Sequence, residues 1–269
     1  MIELTHRAFK GRVARRVFLL FVLSAFVPLA LIAVLSFTQL RQSILSQGER
    51  RLATAGKEYG MAVFDRLQVA ADSAASAAEL TDRQRRETAV ATRHFRSLGI
   101  MDPRFAPRAL FGEIRPPSLS SGARQRLAAG KTLLVAAGPS VLLVVPVGDA
   151  PSGRLVFGEL QPDYLWGTLE LLPTAIDICV VDSDSRSVLF CPVPVPGEVL
   201  GAIANSSSQS AFGSLDWERE GETQRSVAWS QFLHAEFGAA DWVVVASQSE
   251  SYQMRYVAGF QQLFIPVVV

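Results

Sequence analysis

Apolar and polar positions along this chain fall into three regimes. From Val17 to Phe37 the run VFLLFVLSAFVPLALIAVLSF contains no charged residue. A helix needs about 20 apolar residues to cross a ~30 Å hydrocarbon core. The pattern therefore predicts a transmembrane helix over 17–37. Pro28 lies near its middle, where a membrane helix tolerates a kink. From Thr38 to about Phe95 the pattern becomes helical and amphipathic, with no proline and abundant alanine. Leu40, Ile44, Leu52, Tyr59, Val63, Leu67 and Ala70 fall on one stripe at helical spacing. A helix with such a stripe packs on its own domain or on its twin in a dimer. Thr81-Asp82 reads as a break with a new cap. Arg50-Arg51 and Arg83 to Arg86 read as solvated faces.

Beyond the helix the period shortens to that of strands, and the order runs twice. The first pass has strands near Ser97–Met101 and Arg108–Ile114, a polar helix at Ser120–Ala129, and strands at Thr132–Ala136, Val141–Val147 and Arg154–Leu160. Gly138-Pro139-Ser140 and Gly148 to Gly153 mark turns. A linking helix is predicted over Pro162 to Leu172. The second pass has a hairpin at Ala175–Cys191, a proline-rich corner and a helical, serine-rich stretch to about Trp217. Strands follow near Gln224–Trp229, Phe232–Phe237 and Trp242–Ser247. Two strands, helices and three strands is the order of a PAS-like unit. The fold class predicted is α+β: a long N-terminal transmembrane and stalk helix, then two PAS-like α/β units with antiparallel sheets. The units are expected at 97–172 (distal) and 173–249 (proximal), after a long helix at 38–96.

Charge adds an orientation. Arg7, Lys10, Arg12, Arg15 and Arg16 precede the apolar run, against the single acid Glu3. Basic flanks stay cytoplasmic, so residues 1–16 are expected inside and 38–256 outside, in the periplasm. A cleaved signal peptide is the competing reading. Its apolar region is about 7–15 residues and ends in small residues; this run is longer and exits through Ser36-Phe37-Thr38-Gln39-Leu40-Arg41. The last stretch, Val257–Val269, is increasingly apolar but too short to cross a bilayer as a helix. It reads as the start of a truncated second transmembrane helix, or as a buried terminal element. Over the 269 residues, 49% are hydrophobic and 19% charged, which excludes whole-chain disorder. The formal net charge of +1 offers no global field for nucleic acid, so none is expected as a partner.

Candidate chemistry is sparse. A hairpin centred on Ser185 places Cys179 opposite Cys191. Facing cysteines on antiparallel strands can bond in an oxidising compartment, and two free buried thiols are the alternative. Ala129-Gly130-Lys131-Thr132 resembles the end of a phosphate loop, but Gln125 stands where the first glycine belongs, and a helix precedes the run instead of a strand. Asp182-Ser183-Asp184-Ser185-Arg186 begins like a calcium loop, but Arg186 takes a ligand position. His6, His94 and His234 lie far apart, with no metal spacing. No catalytic residue, metal or cofactor is predicted, and this chain is not expected to be an enzyme.

The architecture between Thr38 and Tyr256 resembles the double-Cache sensor family, the extracytoplasmic modules of bacterial chemoreceptors, histidine kinases and cyclic-di-GMP enzymes. The segments FGELQPDYLWGTLELLP, ICVVDSDSRSVLFC and AADWVVVASQSESYQM are similar to those ahead of HAMP and GGDEF or EAL domains. The amino-acid-binding signature of many such sensors, a tyrosine followed by Arg and a Trp-Tyr pair, is absent from the distal half. The resemblance implies a sensory input module for a small-molecule ligand or an envelope condition, integral placement in the bacterial inner membrane, a homodimer, and an output in a longer parent protein, with cyclic-di-GMP turnover favoured over a histidine kinase. In PAS-like sheets ligands bind on the concave face, under helices and loops. In the second unit that region holds Trp217, Arg219, Arg225, Trp229 and His234. Aromatic walls with one or two cations suit a small carboxylate; core tryptophans with surface arginines are the plainer alternative. A membrane-anchored periplasmic adaptor that binds a partner protein is the alternative function.

Overall fold

The computed structural model describes residues 12–79, 90–102, 105–148, 154–167, 175–207 and 212–255. The expected cap at Thr81-Asp82, the Arg83 to Arg86 run, the end of the linking helix over 168–172 and the final run Val257–Val269 lie outside the described residues. Helix α1 spans Arg12–Glu79 with Pro28 inside it. The chain divides into two units. One comprises Met1–Gly48 with Tyr256–Val269, and the other is Glu49–Arg255.

In the first unit α1 carries an uncovered apolar surface. Val17, Leu20, Phe21, Ile32 and Val34 are each more than 60% exposed. It belongs to the one helix among the described residues that is long and apolar enough to cross a membrane.

In the second unit α1 is a core element. Leu52, Val63, Leu67 and Ala70 of the predicted stripe are buried, and Tyr59 packs against the cluster that holds the last three. The buried stripe also includes Gly56, Gly60, Ala74, Ala77 and Ala78, which lack the bulk that flags a core position. Leu40 is 43% exposed, in the other unit.

Two five-stranded antiparallel sheets follow. The first contains β1 (Phe95–Asp102), β2 (Phe105–Phe111), β3 (Leu133–Ala137), β4 (Ser140–Pro146) and β5 (Leu155–Leu160), in the order β2-β1-β5-β4-β3. The second contains β6 (Asp177–Asp182), β7 (Val188–Phe190), β8 (Phe212–Arg219), β9 (Glu222–Gln231) and β10 (Trp242–Ser249), in the order β7-β6-β10-β9-β8. The repeat seen in the sequence is thus a repeat of topology. Helix α2 (Val90–His94) leads into β1, α3 (Ser121–Ala128) lies between β2 and β3, and α4 (Pro162–Trp166) follows β5. Helix α5 (Gly197–Ser207) lies between β7 and β8, and α6 (His234–Phe237) between β9 and β10.

The linking helix expected over 162–172 ends at Trp166, with Gly167 beyond it at φ 79°, and two further elements differ from expectation. Phe232–Phe237 was expected as a strand, but 234–237 is helical and capped by Gly238 in the left-handed region at φ 60°. Trp217 was expected at the end of a helical stretch and instead lies in β8. Its run Leu215-Asp216-Trp217-Glu218-Arg219 alternates in burial as a half-buried strand does.

Each sheet has an inner face toward α1 and an outer face under its own helix. On the inner faces Leu98, Leu143, Val156, Val180 and Val244 join Val63 and Leu67 in one core. On the first sheet's outer face Leu127 of α3 packs with Leu133, Val144 and Phe157. Phe157 lies over Gly99, where a β-carbon would sit 2.9 Å from its ring.

Helix α4 is clamped to α1 by reciprocal hydrogen bonds. Tyr59 Oη donates to Trp166 O (2.8 Å), Arg66 Nη1 to Leu165 O (3.0 Å) and Tyr164 Oη to Arg66 O (2.9 Å). Burial raises both tyrosine pKa values, so the phenols stay protonated donors. Trp166 then stacks on Phe190 at 5.6 Å and meets Trp242 at 5.4 Å, which joins the clamp to the second sheet. The His94 ring lies 4.3 Å from that of Tyr164. Desolvation, and then Arg93, lower its pKa.

Two predictions follow from this packing. The β-carbon of Gly60→Ala would overlap the Trp229 ring. Overpacking of this kind is expected to cost about 1–3 kcal/mol. Denaturant unfolding of Gly60→Ala, Trp229→Leu and the double variant should show losses that fall short of additive; full additivity would count against the contact. His94, neutral in the fold, is protonated in the unfolded chain below the usual value of about 6.5. Its stabilising contribution is complete above that pH and declines as pH falls toward the lower folded value. The midpoint temperature should drop less between about pH 7 and pH 5 in His94→Phe than in the unaltered chain.

Candidate functional site

Register assigns the predicted site residues to faces, because directly paired residues share a side of the sheet. Trp217 pairs with Gln224, Arg219 with Glu222, and Ser226 with Ser247. Ser247 pairs in turn with Asp177. All of these lie on the outer face. Arg225 pairs with Asp216 and Gln248, and Trp229 with Val244; these lie on the inner face. The five predicted residues therefore do not line one surface.

The outer face has an apolar half and a polar half. Ile203 of α5 covers Cys179, Ala228, Val243 and Val245. Beyond them the face turns polar. Trp217 Nε1 donates to Ser226 Oγ at 2.8 Å, and the Ser226 and Ser247 hydroxyls share a 2.7 Å hydrogen bond. Arg219 Nη1 donates to Asp177 Oδ2 at 2.8 Å, with both side chains 30% exposed. Gln224 is 1% exposed, and its Oε1 has no hydrogen-bond partner among the described residues. An acceptor left unpartnered at such depth is costly. This face thus offers a buried acceptor, a hydroxyl pair, an indole wall and an accessible cation–anion pair. It is suited to a small polar molecule carrying its own charges.

The other three residues have different duties. Arg225 is engaged by carboxylates, with Glu250 at 3.4 Å, Glu49 at 3.7 Å and Asp216 at 3.8 Å. Trp229 packs in the core beside Gly60. The His234 side chain is exposed on α6. That helix is held to the first sheet's side by Arg126, whose Nη2 donates to Ala235 O at 2.7 Å while its Nε donates to Thr132 O at 2.9 Å. Sequence reasoning missed Asp177, Gln224, Ser226 and Ser247. The available signal was polar residues at alternate positions of strands whose other positions are apolar.

The hairpin register Val180↔Phe190 places Cys179 opposite Cys191, and the structure bonds them, with Cα atoms 4.2 Å apart. Asp182 shapes the turn. Its Oδ1 accepts from Ser185 N (2.7 Å), Asp184 N (3.1 Å) and Ser185 Oγ (2.8 Å).

The sequence matches no protein-family model, and no curated protein is significantly similar to it. Solved structures do share its fold. The ligand-binding domain of the Pseudomonas aeruginosa amino acid chemoreceptor PctB, with bound L-Arg, superposes with a TM-score of 0.53 at 14% identity, over 77% of this chain and 97% of that one. The ligand-binding domain of the Pseudomonas fluorescens chemoreceptor CtaA, with L-isoleucine, gives 0.53 at 12% identity over 81% and 98%. An extracellular ligand-binding receptor from Desulfohalobium retbaense gives 0.50 at 16% identity over 74% of this chain but 40% of that one. The chain therefore has the fold of chemoreceptor ligand-binding domains, the double-Cache architecture its sequence resembles.

The short loop closed by Cys179 and Cys191 is expected to contribute about 2–4 kcal/mol. Reductant should lower the thermal midpoint of the unaltered chain, and should leave unchanged a variant with both cysteines replaced by alanine.

Proposed function

We propose that this chain is the sensory input module of a transmembrane signalling protein, anchored by 17–37 in the bacterial inner membrane, with its folded region in the periplasm. It seats a small charged ligand on the outer face of the second sheet. The observation that carries this reading is the buried, unpartnered Gln224 carbonyl beside the Arg219–Asp177 pair, in a fold shared with chemoreceptor ligand-binding domains. The ligand would exchange its carboxylate for Asp177 at Arg219 and present a donor to Gln224. PctB and CtaA were solved with amino acids bound, so amino acids and small carboxylates are the first probes. On the first sheet the corresponding face is filled by Phe157 and Leu127, which supports a scaffold role there.

Ligand binding shifts a conformational equilibrium only by its difference in affinity for the two states. The output would be a small displacement of one spanning helix against the other, in a homodimer. The segments similar to those ahead of GGDEF and EAL domains support cyclic-di-GMP turnover as the output served.

The test is calorimetric titration of the full chain in detergent with L-arginine, L-isoleucine, acetate and lactate. At least one is expected to bind. Arg219→Gln should weaken it about tenfold or more, equivalent to about 1.4 kcal/mol, and Trp229→Phe on the inner face should not. Equal binding by Arg219→Gln, or no binding by any probe, removes the reading.

A further inference from the structure

Strand β9 carries two kinds of residue at consecutive positions. Gln224 and Ser226 lie on the outer face, and Arg225 between them lies on the inner one. Glu49 opens the folded unit on α1, and Arg255 closes it. Glu250 begins the helical segment 250–255 through which the chain leaves. Both acids meet Arg225. Nε and Nη2 each lie 3.4 Å from Glu250 Oε2, and Nη1 lies 3.7 Å from Glu49 Oε1. One guanidinium therefore touches the first and the last turns of the unit.

The setting gives this contact weight. The Arg225 and Glu250 side chains are 18% and 21% exposed, whereas Glu49 and Asp216 are 47% and 52% exposed. A shielded pair is screened less by salt than an exposed one. Three carboxylates converge on one cation, which offsets their mutual repulsion. Without it, Glu49 and Glu250 are like charges held near each other, and the first and last turns repel. Two neighbours add to the anchorage. Gln248, paired across from Arg225, donates to Ala175 O at 3.1 Å, and Ser251 Oγ donates to Glu222 Oε1 at 3.2 Å.

We propose that Arg225 is a latch. It holds the outgoing segment 250–255 to the first turn of the folded unit on α1, and its release frees that segment while both sheets stay folded. The latch does not depend on what the outer face binds. It does lie one residue from Gln224 and one from Ser226, so a shift of β9 at the outer face moves it directly.

Hydrogen exchange of the full chain in detergent, without any ligand, tests this. Arg225→Gln is expected to raise exchange at 250–255 about tenfold, with exchange at 177–182 and 242–247 unchanged. Glu250→Gln, which leaves the cation buried beside Glu49 and Asp216, should have a similar but smaller effect and serves if the first variant does not fold. Adding Glu250→Gln to Arg225→Gln should bring the exchange at 250–255 back toward the unaltered rate, because the repulsion with Glu49 is gone. Unchanged exchange at 250–255 in both single variants overturns the proposal. So does a rise spread evenly over the sheets, which marks general destabilisation.

Discussion

The fold depends on one helix meeting two sheets at once. Close approach is possible because α1 presents small residues where the sheets press hardest. Gly60 leaves room for the Trp229 ring, and a β-carbon at Gly56 would already touch that of Ala246 at 3.7 Å. Toward the first sheet the stripe continues through Ala70, Ala74, Ala77 and Ala78, all buried. Larger side chains would separate helix from sheet by more than the short bonds of the α4 clamp can span. Packing at native density therefore precedes the polar contacts.

Given that seat, three connections tie the sheets together. Helix α4 is bonded to α1 at Tyr59, Arg66 and Tyr164 and stacked on the second sheet through Trp166. Arg126 links α3 to α6. The aromatic set Trp166, Phe190, Trp242 and Tyr59 fills the junction, with ring separations of 5.4 to 6.5 Å. Most of these contacts involve backbone carbonyls or ring stacking, which tolerate small rotations.

Much of this was legible in the sequence. The apolar run, the helical stripe and the doubled strand order each follow from periodicity, and they were enough to reach the fold. The hairpin turn was legible from Asp182 to Ser187 because turn chemistry is local. The site was less so. Trp217, Arg219, Arg225 and Trp229 all lie in one short stretch, but the two-residue turn at Glu220-Gly221 pairs Trp217 with Gln224, so the first two face outward and the last two inward. Which face is inner depends on α1, more than a hundred residues away in sequence. Gly56 and Gly60 escaped notice because a close approach leaves no hydrophobic mark. Phe232 to Phe237 has an alternating look, yet its last turn is helical, capped by Gly238.

The first sheet's outer face differs from the second's in what fills it. Phe157, lying over Gly99 and packed with Leu127, fills the space between strand and helix. A doubled architecture lets one copy fill its outer face with apolar side chains while the other keeps a polar floor. Carving Phe157 back to a small residue would open a cavity between Gly99 and Leu127, a socket for recognition chosen by design.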